Sequence, residues 1–520
     1  MLDRSRLRSR SQSTPFSVAT DDYSAARSGP GPVIAIVVSR ADSASEHIGE
    51  RLLAVDDWER LEDASRPDGA GGGTYYRTDG FELREFDDLH IELNDPAAAF
   101  GGDDGAEGDR GDDDGRTDLD FLVFVSRHAG ESGELLTAHV TGNFGPSSYG
   151  GEPKTLSTAA PGAEKRVIAA LATHAPEGYD VGIECTHHGP TDVSVPSLFV
   201  ELGSGEPQWA DSEAAEAVAR AVLDLRGTGP DFAGDDSDLN DDTPDSANAS
   251  NEFLRHVVGF GGGHYAPRFT RIVRDTAWAV GHVGADWALD EMGAPDANRE
   301  TIAQTFERSR AAHAVIEGDR PGLTEVIEDL GHRVVSETWV HEVGDRPLPL
   351  VERLESDLAT VDEGLRFGER SPTSPDAVSI RALPAELLSR AQGVDSEATR
   401  DAVAANAVAF DTEQAGTRAA RAAAFASNAD APGYADLVAD LAEVLESTYG
   451  AVEVTDDEVV ARESAFAPEL ARERGVPEGP AFGRLAAGDS VEVDGETVTP
   501  EDVSRLRTDR FPVAVEREAR

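Results

Sequence analysis

Short apolar, β-branched runs recur along the first 200 or so residues, each bounded by Gly, Pro or Asn. Val33 to Val38, Phe121 to Val125, Leu135 to Val140, Val181 to Cys185 and Ser197 to Leu202 read as buried strands that end in turns. Between and after them, apolar positions spaced by three and four predict helices at Ala163 to Leu171 and Ala214 to Leu225. Strands alternating with helices imply an α/β fold, a mixed sheet with flanking helices. In open α/β sheets ligands bind outside the carboxyl ends of the strands, so polar residues at those ends are candidates for chemistry.

The places where this pattern fails mark the joints. Residues 1–31 carry no apolar period and are expected to be disordered. Gly101 to Asp118 and residues 231–250 are Asp/Gly-rich and read as solvated insertions. The expected core therefore has two halves, 32–230 and 251–370, the second running from Phe253 through Trp278 to Phe367. After Ser371 the chain turns Ala-rich, so 371–520 is expected to be a mainly helical accessory region, with a Gly/Pro-punctuated, β-like piece at 475–495.

Composition changes the picture mainly through solvent. With 100 Asp+Glu against 46 Lys+Arg the formal net charge is −54, and only Lys154 and Lys165 are lysines. At molar salt the Debye length is about 3 Å, which screens self-repulsion of this size. The acidity therefore reads as a halophile's surface, and it does not exclude a nucleic-acid partner. One cysteine, Cys185, excludes an intrachain disulfide and a thiolate-rich zinc site, and fits a reducing cytosol. No apolar stretch approaches the roughly 18 residues of a membrane span, and the first 30 residues lack the apolar segment of a signal peptide. The expectation is a soluble, cytoplasmic protein.

The candidate chemistry lies in four islands: HVTGNFG at 139–145, ECTHHGPT at 184–191, ELGS at 201–204 and GFGGGHYAPRFT at 259–270. Glu184, His187 and His188 fall within five residues, with His139, Glu201 and His264 at the ends of other predicted elements. Imidazole and carboxylate ligands suit a borderline cation, so these six are the candidate metal ligands. Without a metal, His187 or His188 is the general base on a water with Glu184 as its orienter, and His264 joins them as a catalytic candidate. Neighbours on an extended segment point to opposite sides, so one of the adjacent pair can instead be a structural hydrogen-bonder. Cys185, at a strand end, reads as a small buried hydrophobe more than a nucleophile. Gly261, Gly262 and Gly263 allow backbone amides to approach a phosphate or oxyanion, and Tyr265 and Arg268 follow with a stacking ring and a phosphate partner. His139, Thr141, Gly142, Asn143 and Thr191 complete the expected substrate-contacting set.

These islands, in this order, resemble the archaeal and plant type of D-aminoacyl-tRNA deacylase. The likeness begins at IAIVVSRADSASEHIGERLL (34–53), includes HVTGNFG, ECTHHGPT, FVELGSGEPQW and GFGGGHYAPRFT, and closes at GLRFG near residue 368. It implies a hydrolase that cleaves the ester joining a D-amino acid, or glycine, to the terminal ribose of tRNA. It also implies zinc as cofactor and a fold similar to peptidyl-tRNA hydrolases and phosphorylases; a monomer is expected. The N-terminal extension, the acidic insertions and the region after 370 stand outside the resemblance. The stretch GVPEGPAFGRLAAG is similar to part of the tRNA 3′-end endonuclease of the metallo-β-lactamase class, a hint of tRNA contact. A peptidyl-tRNA hydrolase or zinc metallopeptidase would use a similar His/Glu set, and a non-catalytic RNA-binding protein would not need His187 and His188.

Overall fold

The computed structural model describes residues 33–101, 119–231, 254–372, 374, 376–427 and 433–513. The expected disordered segment 1–31 and, apart from Gly101 and Asp231, the two acidic insertions lie outside the described residues.

Eight strands form the first sheet: β1 (Val33–Ser39), β2 (Glu59–Asp63), β3 (Gly73–Thr78), β4 (Phe81–Phe86), β5 (Leu119–Arg127), β6 (Leu135–His139), β7 (Asp180–Ile183) and β8 (Ser197–Gly203). Their order is β2-β3-β4-β1-β5-β8-β6-β7. β1 and β5 are continuous apolar runs because helices cover the sheet. Helix α1 (Ser43–Val55) begins where the Asp42 carboxylate accepts from the amides of Ala44 and Ser45, and it buries Ile48 and Leu52. α2 (Pro161–His174) starts on a proline, and α3 (Ser212–Leu223) is capped by Asp211.

Strand direction decides where the site forms. β5 and β8 run parallel, but β6 is antiparallel to β8 and β7 is parallel to β6. The carboxyl ends of β5 and β8 thus lie opposite those of β6 and β7. The islands do not gather at one end of the sheet, as the sequence pattern suggests for an open sheet. They meet over one face, where His139 on β6 pairs with Phe199 on β8, and Glu201 sits two residues farther along β8.

A second, parallel sheet of four strands follows: β9 (His256–Phe260), β10 (Ala279–Gly284), β11 (His313–Ile316) and β12 (Arg333–Val335), in the order β10-β9-β11-β12. Helix α4 (Pro267–Asp275) leaves the glycine-rich island. One apolar core spans both sheets, from Ile34 through Leu202 to Val315. Both lysines tie elements together. Lys165 on α2 donates to the carbonyls of Val273, Thr276 and Trp278 around the end of α4, and Lys154 donates to Asn298. Compact ammonium groups with three donors suit these carbonyl cages, a use that arginine's planar fork does not fit.

The region after 370 is mixed α/β, not mainly helical. Strands β13 (Leu365–Phe367), β14 (Val378–Ala382), β15 (Ala409–Glu413) and β16 (Arg418–Ala426) form an antiparallel sheet ordered β13-β15-β16-β14. Backbone bonding from β13 to β15 crosses the boundary expected at 370. Beyond it, helices at Ala385–Val394, Ser396–Asn406 and Gly433–Glu446 share a second core with Phe410, Phe425 and Phe511. The expected β-like piece holds a short helix, Pro480–Ala486, and a two-stranded hairpin, Val491–Val493 with Glu496–Val498. None of the described helices is long and apolar enough to cross a membrane.

Candidate active site: five histidines around two buried glutamates

The loop after β7, residues 184–190, is held between the two sheets. The Glu184 amide bonds the Ala138 carbonyl on β6, while the amides of Cys185 and Thr186 bond the carbonyls of His264 and Val283. Beneath it, the Thr186 hydroxyl meets Nδ1 of buried His282, whose Nε2 donates to the Ser157 carbonyl. Anchored this way, the loop brings Glu184, His187 and His188 to His139 and Glu201 on the first sheet and His264 from the second.

Two constellations result. In the first, the ring nitrogens of His139, His187 and His188 lie within 4.8 Å of one another. His139 Nδ1 is 3.1 Å from the Val140 carbonyl, His187 Nδ1 is 2.7 Å from that of Cys185, and His188 Nδ1 is 2.7 Å from that of Gly189. A carbonyl only accepts, so each Nδ1 carries a proton, and the Nε2 atoms of His187 and His188 offer their lone pairs. Nε2 of His139 is buried without a hydrogen-bond partner. Burial, reinforced by repulsion from neighbouring imidazoles, pushes His187 well below the usual histidine range and His188 down to about 4, so both are neutral near pH 7. Burial also disfavours the charged form of His139, but Glu201, 3.6 Å away, draws its pKa up.

The second constellation is centred on Glu184. His264 Nε2 lies 2.7 Å from one carboxylate oxygen and His128 Nδ1 lies 3.0 Å from the other. Burial favours the neutral acid, yet these two contacts hold Glu184 well below the usual carboxylate range. Burial likewise opposes charge on His128, but Glu184 and Glu201 carry it up to about 11. Glu201, buried between His128 and His139, is held down to about 2 by them against its own desolvation. The other nitrogen of His128 faces the Tyr265 hydroxyl at 3.2 Å, and that hydroxyl continues to Ser132 at 3.1 Å.

The structure redistributes several expected roles. Glu184 sits closest to His128 and His264; His187 is 3.9 Å away and is oriented by a backbone carbonyl instead. Glu201 falls outside the groups whose ligand atoms converge, while Glu184 and His264 converge with His128. His128, missed in the sequence, follows a recognised strand by one Ser-Arg step, and the strand-end rule applied there would have found it. His139 is fully buried and stacked on Phe199 with centroids 5.1 Å apart, so it faces its neighbours and not bulk solvent. Thr141 is buried with its hydroxyl 3.4 Å from that of Ser197. Asn143 donates to the Gly150 and Glu152 carbonyls, and Thr191 accepts from the Glu152 amide, so both fasten the 146–152 loop. Gly142 pairs with Leu156 in a two-residue ladder.

The glycine-rich loop differs too. The amide of Gly261 bonds the Gly284 carbonyl and that of Gly262 bonds the Asp286 carboxylate, so neither is free to cradle a phosphate. Both have positive φ, and a side chain on either would run into Glu317. These glycines close the loop against β11's end. Only the loop's last glycine, Gly263, has open space around it. Arg268 reaches Glu317 and Glu337 at 3.5 and 3.6 Å, and the ring of Tyr265 is 40% exposed beside the cluster. Cys185 is fully buried, its thiol pushed up to about 12 by burial and the Glu184 charge, which leaves no thiolate for nucleophilic attack.

Imidazoles and carboxylates presented jointly by the two sheets in a buried cluster, with no thiolate at Cys185, suit acid/base or metal-assisted hydrolysis. The chain belongs to the D-aminoacyl-tRNA deacylase family. The family model of that description matches residues 115–335. The chain is 72% identical over 482 residues to the D-aminoacyl-tRNA deacylase of Halorubrum lacusprofundi, covering 92% of this chain and 97% of that one. It is 52% identical over 479 residues to that of Natronomonas pharaonis, covering 92% and 100%. A solved structure of a conserved protein of unknown function is 25% identical, with a TM-score of 0.48 over 61% of this chain and 99% of that one. A match over 92% of 520 residues extends well past 370, so the relatives share much of the C-terminal region.

Proposed function

We propose that the enzyme hydrolyses the ester of D-aminoacyl-tRNA, releasing the D-amino acid and tRNA. The observation that carries this reading is the convergence of His128, His139, His187, His188 and His264 on Glu184 and Glu201, from islands spread over 137 residues of chain. An aminoacyl ester is already reactive, so acid/base assistance suffices.

Three imidazoles with their protons turned to carbonyls and their lone pairs converging fit zinc, with the backbone supplying the orienting bonds that metal-bound histidines need. His139, His187 and His188 would hold the ion, which supplies Lewis acidity and a more acidic bound water. The chain's own groups handle the protons. Water attacks the ester carbonyl beside His187 and His188, and the proton it loses passes to His264, which the Glu184 carboxylate orients. His264, about one-third exposed, stands at the open side and returns that proton to the ribose oxygen as the acyl bond breaks. Charged His128 keeps Glu184 and Glu201 ionised throughout. The exposed ring of Tyr265 would stack on the terminal base of tRNA. The region after 370 adds contact surface for tRNA, and a fold similar to phosphorylases and peptidyl-tRNA hydrolases, which the family resemblance implies, belongs to the same reading. A haloarchaeal setting agrees with the relatives and with the surface charge.

The test is a time course with matched D- and L-tyrosyl-tRNA in molar salt, with and without a chelator. Selective loss of the D ester, slowed by chelation, is expected. Comparable cleavage of both esters, or of neither, contradicts the reading.

A further inference from the structure

A cavity of about 100 Å³ adjoins the cluster. His188 and Glu201 line it from the polar side; Leu89, Ile91, Phe199, Ser126, His90 and Asp42 supply the remaining surface with Arg127. At about 10–15 Å³ per water-sized group it has room for several non-hydrogen atoms, the scale of an amino-acid side chain and not of a nucleoside. Phe199 is shared by both spaces. It stacks on His139, meets His188 edge-on with centroids 4.8 Å apart, and touches His90 at 5.7 Å.

The charges in this cavity already have partners: the Arg127 guanidinium lies over the Trp209 ring at 5.4 Å, and Glu201 has His128 and His139 at 3.6 Å. Asp42 accepts from the amides of Ala44, Ser45 and Arg127 at 3.0, 3.3 and 3.0 Å, and the Ser126 hydroxyl lies 3.4 Å away. His90 is buried with Nε2 3.3 Å from the Ser45 hydroxyl, and burial keeps it neutral. Little is left to recognise an ionic group. The ester itself sets the direction of entry: its tRNA branch must leave toward solvent, so the acyl branch must take enclosed space beside the reacting carbonyl.

We infer that this cavity is the acyl pocket, taking the uncharged side chain of the D-amino acid, with Leu89, Ile91 and Phe199 as its size-setting wall. The inference rests on the deacylase reading. The test uses the full chain in molar salt and measures kcat/KM for D-tyrosyl-tRNA relative to D-alanyl-tRNA. Leu89→Trp, which narrows the cavity, should lower that ratio about tenfold or more, and Leu89→Ala should raise it about threefold. The opposite signs separate a pocket from mere destabilisation, and the alanine variant carries the test if the tryptophan protein does not fold. A ratio within twofold of wild type in both variants overturns the pocket. Failure of the folded wild-type protein to cleave either D ester overturns the deacylase reading instead.

Discussion

His139, His187 and His188 give their Nδ1 protons to backbone carbonyls, whereas His128 and His264 give a ring nitrogen to the Glu184 carboxylate. The residue type is the same and the partner differs. At His187 and His188 the carbonyl fixes the tautomer and burial leaves a neutral imidazole with an outward lone pair, while His139 also meets Glu201, which draws it up. At His128 the two carboxylates stabilise imidazolium and turn the ring into a store of charge. The two groups are in contact, with the His187 and His264 ring centroids 4.5 Å apart, yet their partners differ in charge.

Breaking the first group should have the largest effect. His187→Ala or His188→Ala should lower deacylation by about 10²-fold or more. The same variants should bind less zinc by elemental analysis after dialysis. Full zinc content with lost activity would move these residues from holding the ion to acting on water directly. Next, Glu184→Gln removes the charge shared by His128 and His264. It should cost about 10- to 100-fold in kcat while zinc is retained. Loss of zinc there would merge the two groups into one. His128→Asn tests the same division from the other side and should slow turnover less than Glu184→Gln, because Glu184 keeps His264.

Histidines away from the site extend the comparison to stability. His256, buried with its Nδ1 donating to the Ser309 carbonyl, and His313, half-buried and packed against Trp339, are each lowered to about 4 by desolvation. A folded pKa below the unfolded value of about 6.5 means the unfolded chain takes up the proton first. Their contribution is present above pH 6.5 and is lost as pH falls from about 6.5 to about 4, by up to about 3 kcal/mol per group. Denaturant midpoints in molar salt should fall across that window, and a flat profile down to pH 4 would contradict it. The smallest effect expected is from Tyr265→Phe, which removes one hydroxyl from His128 and should slow turnover about three- to tenfold.

Much of the first sheet was legible because its central strands are buried on both faces and therefore read as unbroken apolar runs, as in Leu119–Arg127 and Ser197–Gly203. The edge was not: Glu59–Asp63 is polar and largely exposed, so nothing in its pattern marks a strand. Alanine misled after 370. Arg418–Ala426 has the composition of a helix but lies in a sheet, where pairing with β14 and β15 overrides propensity. In the site, Glu184, His187, His188 and His264 were visible as polar residues at strand ends. Asn143 and Thr191 carry the same signal, and only the fold reveals that they fasten a loop. Strand direction was the deepest omission, since it moves the site from the end of the sheet to its face.

The most direct measurement is single-turnover deacylation of D-tyrosyl-tRNA by the wild-type protein and by His188→Ala, with folding of both checked by circular dichroism in molar salt. The account predicts rapid release of D-tyrosine by the wild type and a rate lower by about 10²-fold or more in the variant. Equal rates from two equally folded proteins would place the chemistry elsewhere in the molecule.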